Sequence, residues 1–291
     1  MQGITRRELL AATAGAAALA ALDVAPSAAR PKRSASPPER LRQSVCRWPF
    51  ERIPLPDFCR AARAMGLVAI DLLQPDEWPV AREAGLICSM GYPSRRRDFI
   101  ARGFNDRTSH DLLVQELTDT IPLAARAGVP NLIAMFGNRN GRSDEDGVAA
   151  CIDGLRRVAP PAEAQGVTVC VELLNSRVDH ADYQGDHTAF GARVITGVAS
   201  PRVKLLYDIY HMQIMEGDVI RTIRDHIAHI GHFHTGGVPG RHELDDTQEL
   251  NYHAIARAIA DSGYGGFVAH EFEPTREPLA ALRDAVATCR V

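Results

Sequence analysis

From residue 41 onward the chain alternates eight short apolar runs with eight amphipathic stretches, and few folds accept that alternation. The runs that predict strands are 42–46, 67–73, 85–90, 131–136, 167–174, 203–210, 229–234 and 266–272. The helical patterns between them cover 56–65, 77–84, 109–127, 144–164, 186–198, 218–229, 252–262 and 277–289. Glycines follow the patterns at Ala127-Gly128 and Gln165-Gly166, where helices stop. Eight strand–helix pairs in about 250 residues are the size of a closed (β/α)8 TIM barrel, an α/β fold. An open doubly wound sheet would usually carry a glycine-rich phosphate turn after its first strand. Here the first strand runs into Arg47-Trp48-Pro49-Phe50 instead. No break in composition divides residues 41–291, so one barrel domain is expected there.

The N-terminus is of a different character. Thr5-Arg6-Arg7-Glu8 precedes an Ala/Leu-rich run from Ala11 to Leu22, and Ser27-Ala28-Ala29 follows with small residues. A charged start, a short apolar stretch and a small-residue end predict an export signal over 1–29, of the twin-arginine type, with a flexible leader over 30–40. The apolar run is too short to span a bilayer, which takes roughly 20 residues. The chain is therefore expected to be exported to the periplasm or beyond and not to be an integral membrane protein. A net charge of -3 gives no electrostatic reason for a nucleic-acid partner. The six cysteines form no C-x-x-C pair, which excludes zinc ribbons and thioredoxin-like redox motifs. Most of them sit in apolar runs, as small core residues do.

Barrels of this kind carry their chemistry at the C-terminal ends of the strands. Four consecutive predicted strands end on ligand-type residues: Val169-Cys170-Val171-Glu172, Leu205-Leu206-Tyr207-Asp208, Gly231-His232-Phe233-His234 and Val268-Ala269-His270-Glu271. Each gap is close to one strand–helix unit, so the four side chains fall on neighbouring strands at one mouth. Three carboxylates brought that close repel strongly unless a cation lies among them. Glu172, Asp208, His234 and Glu271 thus predict one divalent ion, of Mn, Mg, Co or Zn. Singly, a strand-end carboxylate is as readily a helix cap; four in series are not. His232 points the same way as His234 but deeper, as a hydrogen-bonded core residue would. Asn175 and His211 follow Glu172 and Asp208 by three residues. Arg241 has the planar fork that grips a carboxylate, though a loop ion pair is an equal reading. Trp48 is either pocket wall or core.

The segments Val171-Glu172-Leu173-Leu174-Asn175, Tyr207-Asp208-Ile209-Tyr210-His211-Met212, Gly231-His232-Phe233-His234 and Pro239-Gly240-Arg241-His242-Glu243 resemble hydroxypyruvate isomerase. So do Glu249-Leu250-Asn251-Tyr252 and Gly263-Tyr264-Gly265-Gly266-Phe267. That family lies within the xylose-isomerase-like TIM-barrel superfamily, with the ketose epimerases and endonuclease IV. The resemblance covers the barrel and is densest in its second half. It implies metal ligation by Glu172, Asp208, His234 and Glu271, proton transfer by Glu172 and Glu271, and substrate contact by His211 and Arg241. It also implies a small hydroxy-carbonyl or sugar substrate, with hydroxypyruvate converted to tartronate semialdehyde through an enediolate. His234 is a departure: hydroxypyruvate isomerases carry glutamine there, and ketose epimerases histidine. A ketose 3-epimerase is therefore the alternative, and a non-catalytic sugar-binding barrel a remoter one.

Endonuclease IV needs extra histidines from strands three and four. Those strand ends read Met90-Gly91-Tyr92-Pro93 and Phe136-Gly137-Asn138-Arg139. Schiff-base aldolase chemistry needs an active-site lysine. Lys32 and Lys204 are the only lysines, and Lys204 falls at the start of strand six, the wrong end of the barrel.

Overall fold

The computed structural model describes residues 40–291. The expected signal over 1–29 and the leader up to residue 39 lie outside the described residues. Eight parallel strands close into a barrel in sequence order: β1 (Arg42–Cys46), β2 (Ala69–Leu73), β3 (Ile87–Gly91), β4 (Asn131–Met135), β5 (Thr168–Glu172), β6 (Val203–Asp208), β7 (Ile230–Thr235) and β8 (Phe267–His270). Nine helices of the described residues surround it: α1 (Leu55–Ala64), α2 (Trp78–Glu83), α3 (His110–Ala127), α4 (Asp144–Gln165), α5 (Thr188–Val198), α6 (Ile209–Met215), α7 (Val219–His226), α8 (Tyr252–Asp261) and α9 (Pro278–Thr288). The backbone N–H of Arg40 donates to the carbonyl of Val291, which joins the two ends of the described chain.

Helices cover the outer face of each strand and side chains fill the inside, so β2, β4 and β5 are buried throughout. That is why these strands read as unbroken apolar runs and not as alternations. Both predicted glycine stops hold: Gly128 and Gly166 end α3 and α4 at φ 74° and 69°, a left-handed conformation that favours glycine. Gly191 on α5 lets that helix lie against β6, since a Cβ there would come within 2.7 Å of the Leu205 side chain.

The structure departs from the sequence reading mainly at strand ends. Strand six was expected to run to Tyr210, but it stops at Asp208, whose Oδ1 accepts the N–H of His211 and starts α6. Strand eight stops at His270, leaving Glu271 one residue beyond it. The predicted helix over 218–229 divides into α7 and a 3-10 turn over Ile227–His229. All six cysteines are buried and unbridged. Among the described residues no helix is long and apolar enough to cross a membrane. Lys204 sits at the start of β6, where its Nζ donates to the carbonyl of Ala228, away from the site.

Candidate active site

The four strand-end residues meet. Glu172, Asp208, His234 and Glu271 each bring one ligand atom to within 4.8 Å of the others, and all four are buried. Strand register produces the meeting: Asp208 lies beside His234 on β7, and Glu271 N–H donates to Thr235 O at the end of β7. His234 Nδ1 lies 2.6 Å from Glu271 Oε2 and 3.3 Å from Glu172 Oε1. None of these contacts is aligned as a hydrogen bond, so Nδ1 is a buried atom without a hydrogen-bond partner. Four ligand atoms gathered this closely, one of them an imidazole nitrogen without a hydrogen-bond partner, suit a cation among them. Three carboxylate oxygens and one imidazole nitrogen are a donor set for Mn²⁺, Co²⁺, Mg²⁺ or Zn²⁺.

One anchor of this site was not found from the sequence. Asp71, wholly buried on β2, accepts a hydrogen bond from His234 Nε2 at 2.9 Å. It also accepts from His232 Nε2 at 3.2 Å, from Ser89 Oγ, and from Cys46 Sγ at 3.6 Å. Burial alone would raise the Asp71 carboxyl, but the two imidazoles hold it below the ordinary carboxylate range. An ionised Asp71 fixes the Nε2 proton of His234 and turns Nδ1 to the mouth, the carboxylate–histidine arrangement that orients metal ligands. His232 is the hydrogen-bonded core residue that its depth suggested. The available signal for Asp71 was an acidic residue inside the apolar run Ala69-Ile70-Asp71-Leu72-Leu73.

Arg241 makes the ion pair that one of its two readings expected. Its Nη2 lies 2.6 Å from Glu271 Oε2 and 3.0 Å from Asp208 Oδ2, and its guanidinium sits between the faces of Trp48 and Tyr210. It also lines the cavity above the site, so the ion pair and the pocket wall are one residue. Trp48 Nε1 donates to Glu271 Oε1 at 2.6 Å and lines the same cavity. Burial would raise Glu271, yet Arg241, His234 and Trp48 hold it well below the usual carboxylate range. Asp208 behaves oppositely: burial, with Glu271 and Glu172 nearby, pushes it up to about 7 against the pull of Arg241. Burial lowers His234, but Cys46, Glu271 and Asp71 outweigh it and hold the imidazole well above its usual value. Burial also keeps Cys46 a thiol, so the two carboxylates are the anions responsible.

His211 is fully buried and held well below its ordinary value by burial, with Arg241 and His180 adding to the effect, so it is neutral. Its tautomer follows from its neighbours. The Asn175 carbonyl oxygen accepts the N–H groups of Val178 and Asp179, which turns the amide nitrogen toward His211 Nδ1 at 2.7 Å. An amide N–H only donates, so Nδ1 accepts and the proton lies on Nε2. Nε2 has no hydrogen-bond partner and stands 3.6 Å from Asp208 Oδ2, a donor held ready beside the ligand cluster.

Glu172, Glu271 and Arg241 form the floor of an open cavity of about 830 Å³. Its walls come largely from loops after β1 to β4, including Trp48, Tyr92, Phe99 and Asn138. Of the site residues expected from the sequence, Glu172, Arg241 and Glu271 line this cavity, while Asp208, His234 and His211 lie buried beside them.

Comparison with known proteins agrees with the fold. Residues 78–290 match the family model described as xylose isomerase-like TIM barrel. A human putative hydroxypyruvate isomerase is 28% identical over 249 residues, covering 81% of this chain and 90% of the relative. The hydroxypyruvate isomerase of Escherichia coli is 29% identical, covering 72% and 74%. A 2-oxo-tetronate isomerase of Cupriavidus necator is 37% identical over 46% of this chain and 51% of its own. Among solved structures, an AP endonuclease, family 2, from Brucella melitensis superposes with TM-score 0.77 at 24% identity, covering 86% of this chain and all of that one. An L-ribulose 3-epimerase superposes with TM-score 0.70 at 20% identity, covering 85% and 92%. The chain belongs to the xylose isomerase-like TIM barrel family.

Proposed function

We propose that the chain is a metal-dependent isomerase that moves a proton between adjacent carbons of a 2-oxo-hydroxy compound such as hydroxypyruvate. Its membership of the isomerase class rests on relatives that carry that activity in their names. The observation that carries the reading is the buried quartet of Glu172, Asp208, His234 and Glu271, two of whose members open onto the cavity. A divalent cation there supplies Lewis acidity toward neighbouring carbonyl and hydroxyl oxygens.

The chain's own residues account for the remaining steps. In this reading Glu271, held ionised, takes the proton from the hydroxyl-bearing carbon. Glu172, on the same cavity floor, returns one to the former keto carbon in this reading, while the hydroxyl proton passes to the former keto oxygen. The charge of the intervening enediolate faces the Arg241 guanidinium, with the His211 Nε2–H behind it, buried beside Asp208. With hydroxypyruvate the product is tartronate semialdehyde. If the proton returns instead to the opposite face of the carbon that lost it, the result is epimerisation. His234, where glutamine was expected for hydroxypyruvate isomerases, and the size of the cavity both favour that second reading for larger sugars. We also propose, from Arg6-Arg7 and the run that follows, that the enzyme is exported.

To test it, the full chain is stripped with chelator, reloaded with Mn²⁺, Mg²⁺, Co²⁺ or Zn²⁺, and assayed with hydroxypyruvate and a ketose panel. Metal-restored turnover that Glu172→Gln and Glu271→Gln each abolish is the expected result. Full turnover in chelator, or in either variant, refutes the mechanism.

A further inference from the structure

Resting on that reading of the site, we propose that His180 is a third catalytic residue, the relay that carries the hydroxyl proton to the former keto oxygen.

The reaction itself requires a relay. When hydroxypyruvate becomes tartronate semialdehyde, one proton moves between carbons and a second leaves the hydroxyl oxygen for the former keto oxygen. Glu271 and Glu172 account for the first. For the second, a group must take a proton from one oxygen and hand it to its neighbour, with a proton affinity near the working pH. Epimerisation needs no such transfer, since the carbonyl oxygen of the substrate is still the carbonyl oxygen of the product.

Few groups at the cavity floor qualify. A guanidinium does not give up its proton, which removes Arg241. Burial holds the Tyr92 phenol well above its usual value, too weak an acid to pass a proton on. Asp179 is occupied, accepting from Asn175 Nδ2 at 2.6 Å and from the Tyr210 hydroxyl at 2.9 Å. His211 and His234 are wholly buried. His180 is the one imidazole among the described residues that lines the cavity, and neither of its ring nitrogens has a hydrogen-bond partner among them. Burial holds it below its ordinary value, with Glu172 pulling the other way, so at neutral pH it is uncharged and ready to accept.

The loop after β5 builds this position. The Asn175 side-chain oxygen accepts the N–H groups of Val178 and Asp179, and its carbonyl accepts that of His180 at 3.2 Å, so the chain turns back on itself. The His180 carbonyl in turn accepts the N–H of Tyr183 at 3.0 Å. The imidazole is left between two rings, with centroids 5.3 Å from His211 and 6.5 Å from Tyr183. Each of those rings is tied to a candidate metal ligand. His211 Nε2 stands 3.6 Å from Asp208 Oδ2, and the Tyr183 hydroxyl donates to the carbonyl of Glu172 at 2.9 Å. His180 therefore faces the cavity at the edge of the ligand cluster. Neutral His180 takes the proton of the hydroxyl oxygen as that C–O bond becomes the carbonyl. The imidazolium then gives it to the former keto oxygen, whose bond to carbon has become single. No electrons enter or leave, and the imidazole is regenerated.

The test uses the full chain loaded with Mn²⁺, as wild type, His180→Gln and His180→Ala, with hydroxypyruvate and a ketose panel. Product formation reads the whole reaction. NMR in D2O reads exchange of the carbon-bound proton beside the carbonyl, which Glu271 performs without a relay. Both variants should lose about 100-fold in kcat with little change in KM, while exchange continues above the enzyme-free rate. Imidazole added to the solution should restore His180→Ala by about tenfold, a rescue that a merely structural residue would not show. Unchanged kcat in His180→Gln overturns the proposal. So does exchange lost together with turnover in variants that melt and bind Mn²⁺ as the wild type does. A wild type that epimerises ketoses without isomerising, at a rate that His180→Gln leaves alone, overturns the relay but keeps the metal-dependent proton transfer. Neither product nor exchange from the wild type overturns both.

Discussion

Replacing Asp71 by asparagine tests the part of the site that holds His234, a candidate metal ligand, in place. Asp71 accepts from His234, His232, Ser89 and Cys46, wholly out of contact with solvent. Asparagine keeps one acceptor oxygen and turns an amide nitrogen toward the remaining donors. Ser89 bonds Oδ1 and the other three bond Oδ2, so at least one contact becomes donor against donor and each imidazole loses a charged acceptor, at about 1–3 kcal/mol each. The fold is expected to lose about 2–5 kcal/mol, which a large barrel survives. His234 loses the anchor that aims Nδ1 at the mouth, and metal affinity should fall about 10–100-fold. There is a pH signature. Asp71 helps hold His234 well above its usual value, so in the wild type protons compete with the metal for that nitrogen. Asparagine lowers His234 and relieves the competition, which partly masks the loss at low pH. Competition titrations of Mn²⁺ against a fluorescent chelator at about pH 6.5 and about pH 8.5 would read both effects, with melting curves to establish folding. The deficit should be larger at the higher pH. Wild-type affinity at both values, or a deficit confined to the lower one, would refute the orienting role.

With His234 raised and Asp208 at about 7, metal uptake at neutral pH should release about one to two protons, read by calorimetry in buffers of differing ionisation enthalpy. Because His234 is raised, its stabilisation of the metal-free fold is complete below the unfolded value and fades as pH rises through the folded one; denaturant titrations of the stripped protein should show that decline. Mn²⁺ at about 100 times its Kd should stabilise the fold by about 2.7 kcal/mol, and an unchanged Tm would argue against a metal site. Trp48→Phe keeps the wall but removes the N–H on Glu271 Oε1. It should lower kcat/KM about tenfold and move the acid limb of its pH profile upward, since a carboxylate that loses a donor gains basicity. Arg6→Lys with Arg7→Lys should abolish export of the full chain, measured by cell fractionation.

The reach of the sequence reading can be judged residue by residue. Buried parallel strands are mostly apolar, so all eight were visible as runs, and β1 was bounded correctly at both ends. Strand ends were read less well, because there the side chain decides and the backbone pattern does not. Asp208 is the clearest case. The cap and ligand readings of its sequence do not exclude each other, since Oδ1 caps α6 while Oδ2 faces Arg241 and the other candidate ligands. The tautomer of His211 depends on an amide held by two backbone donors across a loop, which no spacing reveals. Asp71 was missed for a related reason. Its partners lie on β1, β3 and β7, and only closure of the barrel brings them together.

The site also divides along the chain in a way that explains what the sequence could and could not say about function. The ligand atoms come from the ends of β5 to β8, where four residues of restricted type recur at a regular interval, a signal that survives without a structure. The cavity walls come mostly from the loops after β1 to β4, built from an indole, aromatic rings, an amide and a run of arginines with no periodicity. Loops set the substrate on this fold while strand ends set the chemistry. A reading from strand ends therefore reaches a reaction class and stops short of a substrate. Grafting the Ser94–Arg97 loop onto a relative with a neutral pocket should move substrate preference and leave metal binding where it was.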